Sequence, residues 1–360
     1  MTDPLPRPPG GPRTGAAGGG AATASLQATL GKAYFEMVQR YRAGDQAEAL
    51  AIRNTIQAQL GGLVEQAYRR ATALLEAGRA REAHGDFVEA IELHRMNLAN
   101  IELPVDVAAC YAGLRLCYLA EHQTLGAAAA ARLGARRGIS FYTQPRACQL
   151  PVLGGLYELV FGERTDGTFV EVGAFDGETY SNTSCLADLG WRGVYIEPVP
   201  SACVRCRERH AGNPNVRVIE CAIGAADGTA ALWQNGPCST LSDDEHALNL
   251  KQGVILEPEI VRIDVALRRL DGVLREAGLL PGFDLLVVDV DGAEEAVFAG
   301  FELAAWRPRF LLVELIEDSP HFAGHAGLIG AARRVRAHIA QAGYVEIYRD
   351  AANTLFRAPE

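Results

Sequence analysis

Carboxylates dominate the stretches of this sequence that could do chemistry. Between Pro281 and Asp318 stand nine acids (Asp284, Asp289, Asp291, Glu294, Glu295, Glu302, Glu314, Glu317 and Asp318) against two bases, Arg307 and Arg309. A second group, Glu171 and Asp176, brackets Gly173 in TFVEVGAFDGETYSNT (residues 168–183), and Glu197 ends the run GWRGVYIE. The spacing Glu171, Gly173, Gly177 is ExGxxxG, not the GxGxxG that seats a pyrophosphate on a helix N-terminus. Negative charge beside a glycine turn repels a pyrophosphate. It suits a ligand carrying an ammonium and a sulfonium, which is S-adenosylmethionine (SAM).

On this reading a cofactor site is expected from Glu171, Gly173, Ala174, Asp176, Gly177, Asn182, Glu197, Ala222 and Asp289, with Glu197 on the ribose and Asp289 at the methionine ammonium. Methyl transfer to a hydroxyl needs a group that removes its proton, and Asp291 and His321 are the leading pair. Glu294, Glu314 and His246 are expected on the acceptor side, with His325 a further loop histidine. Asp289, Asp291 and Glu294 also precede or open a helix, so N-capping accounts for them as well. A divalent metal on Asp289, Asp291 and Glu314 is allowed by their oxygen chemistry but is not favoured.

These groups need a strand, a glycine turn and a helix behind them. Phe169, Val170 and Val172 form the first strand, Gly173 and Gly177 the turn, and Ser181, Asn182 and Thr183 a cap for a helix through Leu186 and Leu189. Further strands are expected near 192–197, 215–222, 283–290 and 309–315. A terminal hairpin joins 343–348 to 354–357, and a loop insertion spans Leu232–Val261. Alternating strands and helices imply a parallel sheet covered on both faces.

The segments FVEVGAFDGETYSNT, GWRGVYIEP, CAIGAADGTAAL, RLDGVL and above all LLVVDVDGAE (Leu285 to Glu294) resemble the FkbM-type SAM-dependent methyltransferases, over about residues 140–358. The resemblance implies an α/β, Rossmann-like seven-stranded methyltransferase sheet with a C-terminal antiparallel hairpin, preceded by an all-α helical domain. It also implies O-methylation of a sugar, glycan or polyketide-like acceptor. Two rival readings are a partner-binding protein with a vestigial SAM fold and a nicotinamide-dependent oxidoreductase, the latter weakened by the absent GxGxxG.

Residues 1–24 are Pro, Gly and Ala with almost no large apolar side chain, and read as a disordered tail. Residues 25–137 change to a helical period, with breaks expected at Gly44–Asp45 and Gly85–Asp86 and a third helical pair at 106–121 and 124–137. GDQAEALAIRNTI and GDFVEAIELHRMNL resemble tetratricopeptide helices but lie 41 residues apart, where that repeat takes 34. A helical bundle fits equally, and the region is a candidate for protein partners or self-association. Residues 138–360 form the methyltransferase domain, expected to hold SAM by itself. A net charge of −10 argues against nucleic acid as a partner. No apolar run is long enough to span a membrane and the first residues do not make a secretory signal, so a cytoplasmic protein is expected. The eight dispersed cysteines, Cys203 and Cys206 included, read as reduced thiols.

Overall fold

The computed structural model describes residues 16–97, 101–143, 148, 150–257, 260–319 and 322–359. Five helices come first: α1 (Ala16–Arg42), α2 (Gln46–Glu76), α3 (Ala80–Arg95), α4 (Val107–Ala120) and α5 (Thr124–Ala135). Gly44, at φ +82°, ends the first helix, and Asp45 accepts the Glu48 N–H to start the second. The break expected at Gly85–Asp86 falls instead at Gly78, φ +73°. A glycine inside a helix costs only about 1 kcal/mol, which the burial of Phe87, Ala90 and Ile91 on α3 offsets. Helix α2 alone takes 31 residues, most of the length a tetratricopeptide unit divides between two helices. Helix α1 begins at Ala16, inside the stretch expected as a tail; its alanines carry the highest helix propensity. Residues 1–15 lie outside the described residues.

The expected seven-stranded sheet forms. It contains β1 (Thr168–Val172), β2 (Arg192–Glu197), β3 (Val216–Glu220), β7 (Leu285–Val288), β8 (Phe310–Glu314), β9 (Val345–Arg349) and β10 (Asn353–Arg357), in the order β3-β2-β1-β7-β8-β10-β9. Pairings are parallel up to β8, and β10 runs antiparallel to both its neighbours. Successive residues face opposite cores: Phe169, Tyr195, Leu285, Val287 and Phe310 pack on one side, Val170, Val172, Ile196, Leu286 and Val288 on the other. Strand order reverses between β1 and β7. Ligands of open α/β sheets bind in the crevice beyond the carboxyl ends at such a point, where Gly173 and Asp289 stand.

The expected 215–222 strand splits at Cys221, and its second part, β4 (Ala222–Ile223), joins a separate three-stranded sheet with β6 (Val261–Arg268) and β5 (Gly228–Gln234). The segment expected as a loop insertion is therefore largely ordered. Strands β5 and β6 pair antiparallel from Gly228↔Leu267 to Gln234↔Val261, with α9 (Asp243–Gln252) between them. Ser242 caps α9 by accepting the Glu245 N–H, and Ser242 and Glu245 stand at the spacing of a capping box.

The helical region and the sheet share one core. Phe87, Tyr111, Leu114, Tyr118 and Leu133 are continuous with Tyr142, Phe161, Trp191, Tyr348 and Leu355. The Tyr118 and Tyr348 hydroxyls meet at 2.8 Å, and the Arg349 N–H donates to Gln123. Glu158, buried on α6 (Leu153–Phe161), holds Arg132 and Arg136 and accepts the Phe141 N–H. A chain starting at Arg136 is thus expected to expose this face and aggregate, eluting in the void volume on size exclusion. A monodisperse, cooperatively melting monomer contradicts that. Among the described residues no helix is long and apolar enough to cross a membrane. No disulfide joins the described residues, and seven of the eight cysteines are buried.

Candidate active site

Three strand ends are locked together at Gly173. Its φ is +89°, and a Cβ there would stand 1.7 Å from the Asp289 carbonyl oxygen, so only glycine fits. The Gly173 and Ala174 N–H groups both donate to the Ile196 carbonyl, tying β1 to β2. Glu197, at the end of β2, accepts the Phe175 N–H on one carboxylate oxygen (2.9 Å) and the Val199 N–H on the other (2.8 Å). Burial pushes its carboxyl up to about 7. Gly177, φ +73°, packs over Cys206 and His210. The His210 Nε2 lies 3.1 Å from the Gly177 carbonyl and its ring stacks on Tyr195. No sequence signal marked His210, which lies 33 residues from the turn that it supports.

Two acids expected on the cofactor turn inward instead. Glu171 accepts hydrogen bonds from the Ser181 hydroxyl (2.8 Å), the Asn182 N–H (2.9 Å) and the Thr183 hydroxyl (2.6 Å). Asp176 accepts the Glu178 and Thr179 N–H groups and the Thr179 hydroxyl. Both carboxylates shape the loop because hydroxyls and N–H groups two to twelve positions on offer them donors within the same short loop. Asn182 is held through its backbone, by Glu171 and by the Tyr157 hydroxyl. Its buried side-chain amide has no partner.

Gly173, Glu197, Ala222 and Asp289 do converge, on one cavity that also takes in Asp291. Val172, Ile196, Ile223 and Leu232 supply apolar wall, and Gly236, Pro237, Ser239 and Leu241 close the side contributed by the segment after β5. That segment is a strap. Thr240 donates its hydroxyl to the Asp291 carbonyl (2.6 Å), and Asn235 donates to the Val254 carbonyl (2.9 Å). The enclosed space is about 50 Å³, below the roughly 300 Å³ at which small-molecule sites begin, so the strap must yield before an adenosyl group enters. Chemically the walls fit one: apolar surface for a purine, a second lone pair on each Glu197 oxygen for ribose hydroxyls, and Asp289 for an ammonium. The described residues lining it include no lysine or arginine to neutralise a pyrophosphate.

Beyond Asp289 the acids gather. Asp291 sits at φ +50° and Gly292 at φ +87°. Glu294 accepts the Val290 and Gly292 N–H groups at 3.2 Å, so it stabilises the turn that opens α11 (Glu294–Ala299). Glu314 ends β8. Burial first, then neighbouring carboxylates, hold Asp291 and Glu314 well above the usual range; Glu294 rises to about 7, chiefly by burial. His246 is not in a loop: it lies on α9, stacked on Trp233 at 3.9 Å, and does not line the cavity. His325 stands at the N-terminal end of α13 (Ala326–Gln341). His321 lies outside the described residues. No three His, Cys, Asp or Glu side chains among the described residues are placed to hold a metal ion. Glu245, facing the Asp291 turn, escaped the sequence reading, although the capping-box spacing at Ser242 would have found its helix.

The model of the Methyltransferase FkbM domain matches residues 171–346. The 2-O-methyltransferase NoeI of Sinorhizobium fredii (strain NBRC 101917 / NGR234) is 29% identical over 158 residues, 42% of this chain, and the chain spans 64% of that relative's length. Among solved structures, the precorrin-6y C5,15-methyltransferase of Geobacter metallireducens GS-15 is 10% identical, with a TM-score of 0.29 over 54% of this chain and 81% of its own. The SAH-bound Podospora anserina methyltransferase PaMTH1 is 14% identical, with a TM-score of 0.27 over 54% and 72%.

Proposed function

We propose that this chain is a SAM-dependent O-methyltransferase acting on a hydroxyl of a sugar, glycan or polyketide-like natural product. The observation that carries the reading is the convergence of Gly173, Glu197, Ala222 and Asp289 on one cavity at the strand-order reversal, within the segment matched by the FkbM domain model. Gly173 lets the backbone approach the ligand, Glu197 receives the ribose hydroxyls, and Asp289 compensates the methionine ammonium. Bound there, SAM would supply an electrophilic methyl on a sulfonium, whose sulfur would keep the bonding electron pair when the methyl passes to the acceptor oxygen. Asp291 takes the hydroxyl proton. Its surroundings suit that task, because a carboxylate held above its ordinary range is a stronger base. The glycine turn and the strap align the acceptor and exclude water.

Calorimetry with SAM on the parent protein and on Glu197→Ala tests the cofactor assignment. Each hydrogen bond to a charged acceptor contributes about 1.5–3 kcal/mol, so the substitution is expected to weaken SAM binding at least tenfold. Parent protein that ignores SAM and binds NAD tightly overturns the reading in favour of an oxidoreductase.

A further inference from the structure

The strap over the cavity is a small body with its own internal bonds. Ser239 accepts the Asn235 N–H on its hydroxyl (2.9 Å) and donates that hydroxyl to the Gly236 carbonyl (2.6 Å), and the Cys238 N–H reaches the Asn235 carbonyl. Trp233 and Thr240 close its base, each donating its N–H to the other's carbonyl. Gly236, Pro237, Ser239 and Leu241 lie against the cavity. Bonded in this way, the strap shifts as a unit, and the space beneath it is too small for an adenosyl group until it does.

Thr240 ties that body to the turn that carries Asp291. It is 1% exposed, and its hydroxyl accepts the Ser242 N–H (2.8 Å) while donating to the Asp291 carbonyl (2.6 Å). A hydroxyl has one proton and a carbonyl only accepts, so the direction of both bonds is fixed. Asp291 stands at φ +50°, a left-handed backbone uncommon for a residue with a Cβ. Two groups hold the turn from opposite sides: Thr240 holds its carbonyl, and Glu294 accepts the Val290 and Gly292 N–H groups. Ser239 and Leu241 flank Thr240 in the chain, so a displacement of the strap that widens the cavity carries Thr240 with it. Beyond about 3.5 Å the bond to Asp291 is gone.

We propose that Thr240 is a positioning residue for methyl transfer: its hydroxyl makes closure of the strap over SAM and placement of Asp291 a single event. This rests on the methyl-transfer reading above, with Asp291 as the base. Opening admits the cofactor and releases the Asp291 turn. Closing brings the hydroxyl back to the carbonyl and returns the carboxylate to the acceptor oxygen. A misplacement of about 1 Å costs roughly 10²-fold in rate, so one bond to the backbone of the base is enough to govern turnover. The coupling also keeps the base from being assembled in a site still open to water.

Thr240→Val keeps the branched shape and removes the donor, whereas Thr240→Ser keeps the donor. The full chain is followed by stopped-flow binding of SAM and by transfer of methyl label from SAM into a polar extract of cells lacking the protein. In the parent, the observed binding rate is expected to level off as SAM rises, because opening precedes entry; a rate that stays proportional to SAM overturns the proposal whether or not the variants fold. In Thr240→Val, SAM association and dissociation are both expected to quicken about threefold or more, as loss of one hydrogen bond from the closed state allows, with affinity within about threefold. Label transfer at saturating SAM is expected to fall at least about tenfold. Thr240→Ser should return both readouts to within about threefold of the parent. Faster SAM exchange without lost transfer, or lost transfer without faster exchange, overturns the coupling. A Thr240→Val protein that only melts earlier shows a structural bond and overturns it too. A parent that binds no SAM or transfers no label fails the methyl-transfer reading itself, a result distinct from all of these.

Discussion

Asp291→Asn is expected to lower turnover by roughly 10²- to 10⁴-fold, the usual loss when a general base is removed, while SAM affinity stays within a few-fold. The substitution keeps the shape of the side chain. It also keeps the backbone, because asparagine tolerates the left-handed conformation at φ +50° better than most residues, and the contact from Thr240 is to the Asp291 carbonyl and not to its carboxylate. Parent turnover supplies a second signature. A base works only when deprotonated, and burial together with Asp289, Glu245 and Glu294 holds Asp291 well above the usual carboxylate range. Turnover should therefore climb with pH past the region where an ordinary aspartate is fully ionised, then level off, and Asp291→Asn should flatten that rise. Turnover and SAM affinity measured side by side check the assignment. Parental turnover in Asp291→Asn shows that another group takes the proton, whereas SAM binding lost in step with turnover moves the residue to the cofactor site.

Gly173→Ala should abolish measurable SAM binding and unfold the chain at lower denaturant. The new Cβ would stand 1.7 Å from the Asp289 carbonyl oxygen, and that neighbour is backbone, so no rotamer change relieves the clash. The φ of +89° adds strain of order 1–3 kcal/mol for any residue with a side chain. Relief requires parting β1 from β7, and with them the two strand ends that frame the cavity. We expect a SAM affinity loss beyond 100-fold, about 2.8 kcal/mol or more at 1.4 kcal/mol per tenfold. Gly272→Ala is the control. It lies within the helix α10 (Leu270–Glu276) with nothing within 4 Å of the added methyl, and should be neutral or stabilising by up to about 1 kcal/mol. A Gly173→Ala protein with parental denaturant midpoint and SAM affinity would refute the close approach at this turn.

Much of the frame was legible because its causes are local. Short, nearly continuous apolar runs at Phe169–Val172 and Leu285–Val288 read as strands, since a parallel strand covered on both faces buries successive side chains. Asp106 announced α4 because a cap bonds within its own first turn. The AspAlaAlaAsn turn between β9 and β10 announced the antiparallel hairpin, since a short connection cannot make a crossover. The glycine turn after β1 and the acids after β2 and β7 were visible for the same reason: each is set by residues within one turn or strand of itself.

The direction of a side chain is a different kind of fact. Glu171 and Asp176 carry the charge the sequence promised, but nearby hydroxyls and amides drew both into their own loop, while Glu197 kept its place on the cavity. The pairing of β5 with β6 depends on contacts between segments some thirty residues apart, and the long, polar stretch between them concealed it. Glu245 joins the Asp291 turn, and Tyr118 meets Tyr348 across 230 positions, only after those elements have packed. Sequence by itself determined the strands of the large sheet, the glycine at the crevice and the excess of negative charge there. Tertiary structure decided which carboxylates face the ligand and which hold the loop, and made the helical region part of the same core. The reason is that periodicity and capping act over one turn of chain, whereas a buried charge settles where donors from distant segments, or a ligand, can offset its desolvation.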